Sequence, residues 1–296
     1  VRTIDPDLQA HLDSRATTLA TCWRLTRSDG VTLGFTDHDR ALHFDGTDFV
    51  PATGLDGGEA TAKLGAQTDT SEVLGVLRSD AIAEEDILLG RFDGAEVETW
   101  LVNWRDLDQR LLLSRTTIGE IVREDGVYRA ELRSGQHALN RVSGRIYQAH
   151  CDAELGDARC GVDLDVPAFR AVAEVLGARD RFRVAVDGIE GYEAGWFAQG
   201  IAAFTSGKRD GLRDRVLTHE RLGGVDVLGF GVAVGDWVAA GDALVLTAGC
   251  DRRFTTCKAR FGNAENFRGF PHIPGNDFVL RYPRAGDALD GRKLVD

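Results

Sequence analysis

Two pairs of cysteines, Cys151 with Cys160 and Cys250 with Cys257, flank a long stretch of strand-like patterning, and nothing else in this 296-residue chain constrains its fold as strongly. The pairs read C-x8-C and C-x6-C. If the residues between them form a compact inserted domain, its two ends emerge side by side, because the termini of compact domains often lie close together. The pairs then meet in space. Three chemistries suit four such thiols. Two disulfides would have little use in a chain expected to fold in a reducing compartment. A four-thiolate zinc ion usually draws each ligand pair from a knuckle of about two to four intervening residues, which eight and six fit poorly. An iron–sulfur cluster is larger than one ion and accepts soft thiolates from wider loops. The spacing tolerates the cluster without selecting it.

Charge separates the two pairs. Arg252, Arg253, Lys258 and Arg260 surround the second pair against Asp251 alone, a net +3 suited to offsetting a thiolate-ligated centre. The first pair has only Arg159 against Asp152, Glu154 and Asp157. Over the whole chain, 35 Lys and Arg against 47 Asp and Glu give a formal charge of −12 with no basic tract. That balance argues against phosphate-driven or sequence-specific nucleic-acid binding. The longest apolar stretch, 225–249, is interrupted by Asp226, Asp236 and Asp242 and cannot span a membrane. The charged first fifteen residues hold no apolar signal core, which sets an expectation of synthesis in the cytosol.

The chain reads as mainly β, of the α+β class. Asp5 before Pro6 marks a helix start, with Leu8 and Leu12 at helical spacing. Alternating runs then flank Asp29-Gly30, and again Asp125-Gly126, each a hairpin signal. Residues 79–90 read as a capped helix and 97–104 as a strand. Residues 1–145 thus form β-rich domains. Residues 146–177 and 249–296 form a discontinuous four-cysteine domain with few periodic apolar positions, so metal ligation would replace missing packing. Residues 178–248, short β runs divided by glycines, form an inserted small β-barrel.

The blocks CDAELGDARCGV, from Cys151, and GCDRRFTTCKARFGN, ending at Asn263, together with Phe270-Pro271-His272, resemble the cysteine domain of phage tail-tip hub proteins. The opening TCWRLTRSDGVTLGFTDHDRAL is also similar to that family. The hub protein of gene transfer agents is the nearer likeness and tail tip protein L of lambda-like phages the more distant. The resemblance implies β-barrel hub domains in a non-enzymatic virion component. It implies a homotrimeric ring joining the distal tail protein to the tip and fibre (megatron-like) baseplate proteins, with the tape measure protein as a further contact and DNA passing through. It also implies a [4Fe-4S] cluster on Cys151, Cys160, Cys250 and Cys257, with zinc as the lesser alternative.

Other candidates have plainer readings. Asp37-His38-Asp39 gathers ligand types, yet in a strand the two carboxylates face away from the imidazole, which favours a solvated or hydrogen-bonded turn. His150 beside Cys151 raises the alternative of a cysteine peptidoglycan hydrolase, although adjacent residues seldom converge as nucleophile and base. Cys22, in an alternating strand, reads as a buried small hydrophobe. Trp196, Phe197 and Trp237 read as core or interface aromatics rather than a sugar platform.

Overall fold

A computed structural model describes residues 4–51, 75–77, 82–124, 127–135, 144–273 and 290. The chain forms two compact units, Val1–Val142 and Ser143–Asp296.

The first unit opens with helix α1, Pro6–Asp13, where the Asp5 carboxylate accepts from the amides of Asp7 and Leu8 and Pro6 takes the first helical position. An eight-stranded sheet follows, in the order β3-β4-β2-β1-β6-β7-β8-β5. Its strands are β1 (Leu19–Thr26), β2 (Thr32–Thr36), β3 (Leu42–Phe44), β4 (Thr47–Pro51), β5 (Gly75–Leu77), β6 (Glu96–Asn103), β7 (Arg110–Glu124) and β8 (Val127–Ser134). The β1–β2 hairpin turns where Asp29-Gly30 stands, with Gly30 at φ +85. Strands β7 and β8 pair around Asp125-Gly126, which lie outside the described residues. The helix read over 79–90 is shorter: α2 covers Glu84–Leu88, follows Ala83 and has no side-chain cap. Ser79 and Asp80 lie outside the described residues. Trp23, Leu25, Phe35, Phe92, Val97 and Ile118 form one core of this unit, and Cys22, Phe44, Phe49 and Val102 belong to a second.

The second unit holds a closed antiparallel barrel, β10-β13-β12-β11-β14-β9. Its strands are β9 (Arg170–Ala178), β10 (Arg183–Asp187), β11 (Ile201–Phe204), β12 (Arg213–Leu222), β13 (Val225–Phe230) and β14 (Ala243–Thr247). Alternate residues point inward, as the pleat requires: Ala171, Ala173 and Val175 from β9, Leu244 and Leu246 from β14, Leu228 and Phe230 from β13, with Phe197 and Ile189 filling the end. Each fully buried large side chain of this kind contributes about 1.5–3 kcal/mol. Strand β9 begins eight residues before the start that the sequence suggests for the insert, because small alanines at its inward positions mute the apolar alternation.

One polar network is buried in this wall. Asp226 accepts from His219 Nε2 at 3.1 Å and from Arg221 Nε at 2.9 Å and Nη2 at 3.0 Å, while His219 Nδ1 accepts from the Phe197 amide at 3.4 Å. The partners set the tautomer: His219 carries its proton on Nε2. Arg221 also donates to the carbonyls of Glu190 and Tyr192, so the network pins the 189–197 loop.

Candidate metal centre

Closure of the barrel decides where the cysteines lie. Strands β9 and β14 are neighbours, and Arg170 pairs with Thr247 at the end of their register. The chain therefore enters and leaves the barrel at one place. Residues 144–169, ahead of β9, contain no helix or strand, as their loop-like composition suggests. After β14 the segment through Cys250 leads into helix α3, Phe254–Phe261. That helix lies in a stretch that reads as irregular, because a two-turn helix with Phe254, Cys257 and Phe261 on one face is too short to show a clear period.

Cys151, Cys160, Cys250 and Cys257 all line one cavity, with about 330 Å³ of empty space that includes some open to solvent. Ala153, Leu155, Val162, Phe261 and Phe267 supply its apolar wall. Cys151, Cys160 and Cys257 are buried, Cys250 is partly exposed, and all four are free thiols. The main chains of the two segments are joined directly, the Cys151 amide donating to the Arg252 carbonyl at 2.9 Å.

Three sulfurs accept N–H hydrogen bonds: Cys250 from the Arg252 amide at 3.3 Å, Cys151 from the Arg268 amide at 3.4 Å, and Cys160 from Asn263 Nδ2 at 3.6 Å. The Cys257 thiol instead donates to the Asn263 carbonyl at 3.2 Å. Burial pushes the Cys257 thiol up to about 11, and negative charge on Cys250, Cys151 and Cys160 pushes the same way. Burial also raises Cys250; the Arg252 amide opposes it, while Asp251 and the neighbouring cysteines add to it. These mutual effects are the electrostatic sign of convergence. Both thiols keep their protons at neutral pH unless a cation replaces them.

The supports come from residues that sequence spacing does not single out. Asp157 accepts from the amides of Cys160, Glu154 and Arg159 at 2.6, 3.1 and 2.9 Å, which folds the C-x8-C loop. Partial burial raises this carboxyl, but the three amides together leave it below its ordinary value. Glu154 pairs with Arg252 and, at 3.2 Å, with Arg215 on β12, tying both cysteine loops to the barrel. The positive surplus near the second pair is thus partly spent: Arg252 meets Glu154, and Arg260 lies over the Trp196 ring at 4.6 Å and donates to the Gly249 carbonyl at 3.1 Å.

The remaining candidates do not line the cysteine cavity. Cys22 is buried in the first unit, bonded to Thr36, with burial raising its thiol to about 11. Asp37 accepts from the Thr21 amide at 2.7 Å, His38 accepts from the Arg40 amide at 3.0 Å, and Asp39 is 83 % exposed, so this segment is a hydrogen-bonded turn. Among the described residues, no group of three or more His, Cys, Asp or Glu is arranged to hold a metal ion. His150 is exposed and does not line the cysteine cavity. Phe197 is core, and Trp196 packs against it.

A sheet-rich leading unit is thus followed by a closed barrel flanked by the two cysteine segments. A family model described as "Baseplate hub protein, N-terminal attachment domain" matches residues 5–163, and one described as "Phage conserved hypothetical protein BR0599" matches residues 195–277. Each match contains one cysteine pair. A chain of a solved structure titled "Virion of native gene transfer agent (GTA) particle" is 40% identical, covers 98% of this chain and 100% of its own, and superposes with a TM-score of 0.89. No curated protein matches. The chain belongs to the baseplate hub protein family, and its place is the virion tail.

Proposed function

We propose that the chain is the tail-tip hub of a gene transfer agent-like particle, a non-enzymatic homotrimer that joins the distal tail protein to the tip and fibre proteins and lets DNA pass. In this reading Cys151, Cys160, Cys250 and Cys257 hold a [4Fe-4S] cluster. The observation that carries the metal assignment is the convergence of four thiols from two distant segments on one apolar-walled cavity, with N–H donors on three of the sulfurs. N–H groups aimed at sulfur stabilise thiolates and are a known control on cluster potentials. When bound, the cluster supplies a covalent cross-link between the two cysteine segments, whose own core is small: Cys151, Ala153 and Cys160, with Leu155, Val162 and Phe267 packed against it.

The likeness to the virion chain supports the hub role, and the charge of −12 suits a channel wall that must not hold phosphates. The structural reading is preferred to a cysteine peptidoglycan hydrolase because the Cys151 sulfur meets the Arg268 amide rather than an imidazole. The test is iron and sulfide quantitation on protein prepared without oxygen, with sedimentation for the trimer. About four iron atoms per chain are expected, retained in Cys22→Ser and lost in Cys151→Ser, Cys160→Ser, Cys250→Ser and Cys257→Ser. Full iron in all four variants refutes the ligand assignment.

A further inference from the structure

Asn263 touches one cysteine from each pair. Its side-chain amide donates to the Cys160 carbonyl at 2.6 Å and to the Cys160 sulfur at 3.6 Å. Its own carbonyl accepts from the Cys257 sulfur at 3.2 Å, and its backbone amide donates to the Cys257 carbonyl at 3.1 Å. Its Oδ1 accepts from Asn266 Nδ2 at 2.7 Å, which fixes the amide orientation so that the N–H face points at Cys160. The placement follows from helix termination: α3 stops at Gly262 in the left-handed conformation, and the residue after it closes the helix by bonding back to Cys257. The residue that follows the helix cap and bonds back to Cys257 is therefore also the one that reaches Cys160.

We propose that Asn263 is the positioning residue of the four-cysteine centre, holding Cys160 through its side chain and Cys257 through its main chain. This rests on the metal reading above and assigns a role that ligand identity alone does not. A residue confined to capping α3 would act on Cys257 only. A residue that bridges the segments acts on Cys160 as well, and the two arms separate by substitution. Asn263→Ala keeps the backbone bonds to Cys257 and deletes both bonds to Cys160. Asn263→Asp also keeps the backbone bonds, and it turns an acceptor toward the Cys160 carbonyl and sulfur.

Outer-shell hydrogen-bond partners of metal ligands typically cost about 10–100-fold in metal affinity when removed. The experiment uses the full chain loaded with iron and sulfide under anaerobic conditions, challenged with a ferrous chelator in the presence of iodoacetamide. Iron release and the order in which cysteines are alkylated are followed by absorbance and peptide mass spectrometry. Release is expected to be about 10-fold or more faster in Asn263→Ala than in the parent, and faster still in Asn263→Asp. In both variants Cys160 is expected to be alkylated ahead of Cys151 and Cys250, an order that general loosening of the fold does not produce. Circular dichroism of each variant before the challenge shows that the barrel is intact. Equal release rates, or equal labelling of all four cysteines in the variants, overturn the assignment. A parent that takes up no iron overturns the metal reading itself, a result distinct from either.

Discussion

Gly249 lies between the end of β14 and Cys250, and replacing it with alanine tests how rigidly the barrel positions the cysteine cavity. A Cβ built there falls 1.7 Å from the Ala198 carbonyl oxygen, 2.5 Å from its carbon and 2.6 Å from the Gly200 nitrogen. Since real Cβ contacts below 3.0 Å are essentially never seen, the backbones must part by about 1.3 Å (3.0 − 1.7). No rotamer change relieves this, because every obstructing atom is main chain. The opposing loop is itself held by the Gln199 amide on the Val216 carbonyl at 2.7 Å and by the Gly249 amide on the Trp196 carbonyl at 3.0 Å. Overpacking against movable side chains costs about 1–3 kcal/mol. A lost hydrogen bond adds about 1 kcal/mol, which places Gly249→Ala at roughly 2–4 kcal/mol. For a unit the size of Ser143–Asp296 each kcal/mol moves the thermal midpoint by about 2–4 °C, so a drop of roughly 4–16 °C is expected by circular dichroism. Gly223→Ala is the control: Gly223 has φ +62 and nothing within 4 Å of a built Cβ, so only left-handed strain of about 1–2 kcal/mol applies. If the proposed cluster is bound, Gly249→Ala should also lower its iron, since the displaced backbone is adjacent to Cys250. A midpoint no lower than that of Gly223→Ala, with full iron, refutes the reasoning.

Leu246→Ala empties a fully buried position in the barrel and is expected to cost about 2–5 kcal/mol, read from the urea midpoint. Burial holds the His219 imidazole below its ordinary value of 6.5 against the opposing pull of Asp226. As pH falls through that value the unfolded chain takes up the proton first, so stability declines with falling pH until the folded-state value is passed. His219→Gln should flatten that slope in denaturation midpoints between about pH 7 and 5. The Arg27 guanidinium holds the Asp29 carboxyl down to about 2 from 3.8, so its stabilising contribution is present above about pH 4 and is lost as pH falls through about 2. NMR titration of the carboxyl carbon checks this, and an Asp29 midpoint near 4 would contradict the Arg27–Asp29 ion pair.

What could be read from the sequence follows how local the cause is. Asp5-Pro6 and Asp29-Gly30 announce a cap and a turn through their own conformational preferences, and both stand where expected. The four cysteines are legible because bracketing a compact insert has a geometric consequence that needs no coordinates. Strand β9 was hidden by its alanines, which fill the narrow interior of a six-stranded barrel but carry little hydrophobic signal. Helix α3 was hidden by its length, and Ser79-Asp80 suggested an earlier start for α2 than Glu84. Asp157 and Asn263 were illegible as supports, because an Asp in a loop and an Asn after a glycine have many uses. Only the folded loops show which amides and sulfurs they meet.

The barrel and the cysteine loops are one mechanical system. Six strands close only if β9 meets β14, and the same pairing places Thr247, three residues before Cys250, opposite Arg170, ten residues after Cys160. Closure thus shortens the spatial gap between the two ligand pairs far below their separation in sequence. A ligated centre would in turn hold the two ends of the barrel together from outside. The Glu154 bridge to Arg215 on β12 and to Arg252, and the Arg260 contact with Trp196, run between the same two parts. Because anything that binds only the folded form stabilises it, barrel stability and occupancy of the proposed centre would rise and fall together. A substitution inside the barrel such as Leu246→Ala, at a residue that does not line the cysteine cavity, should therefore register at the cysteines through the β9–β14 seam.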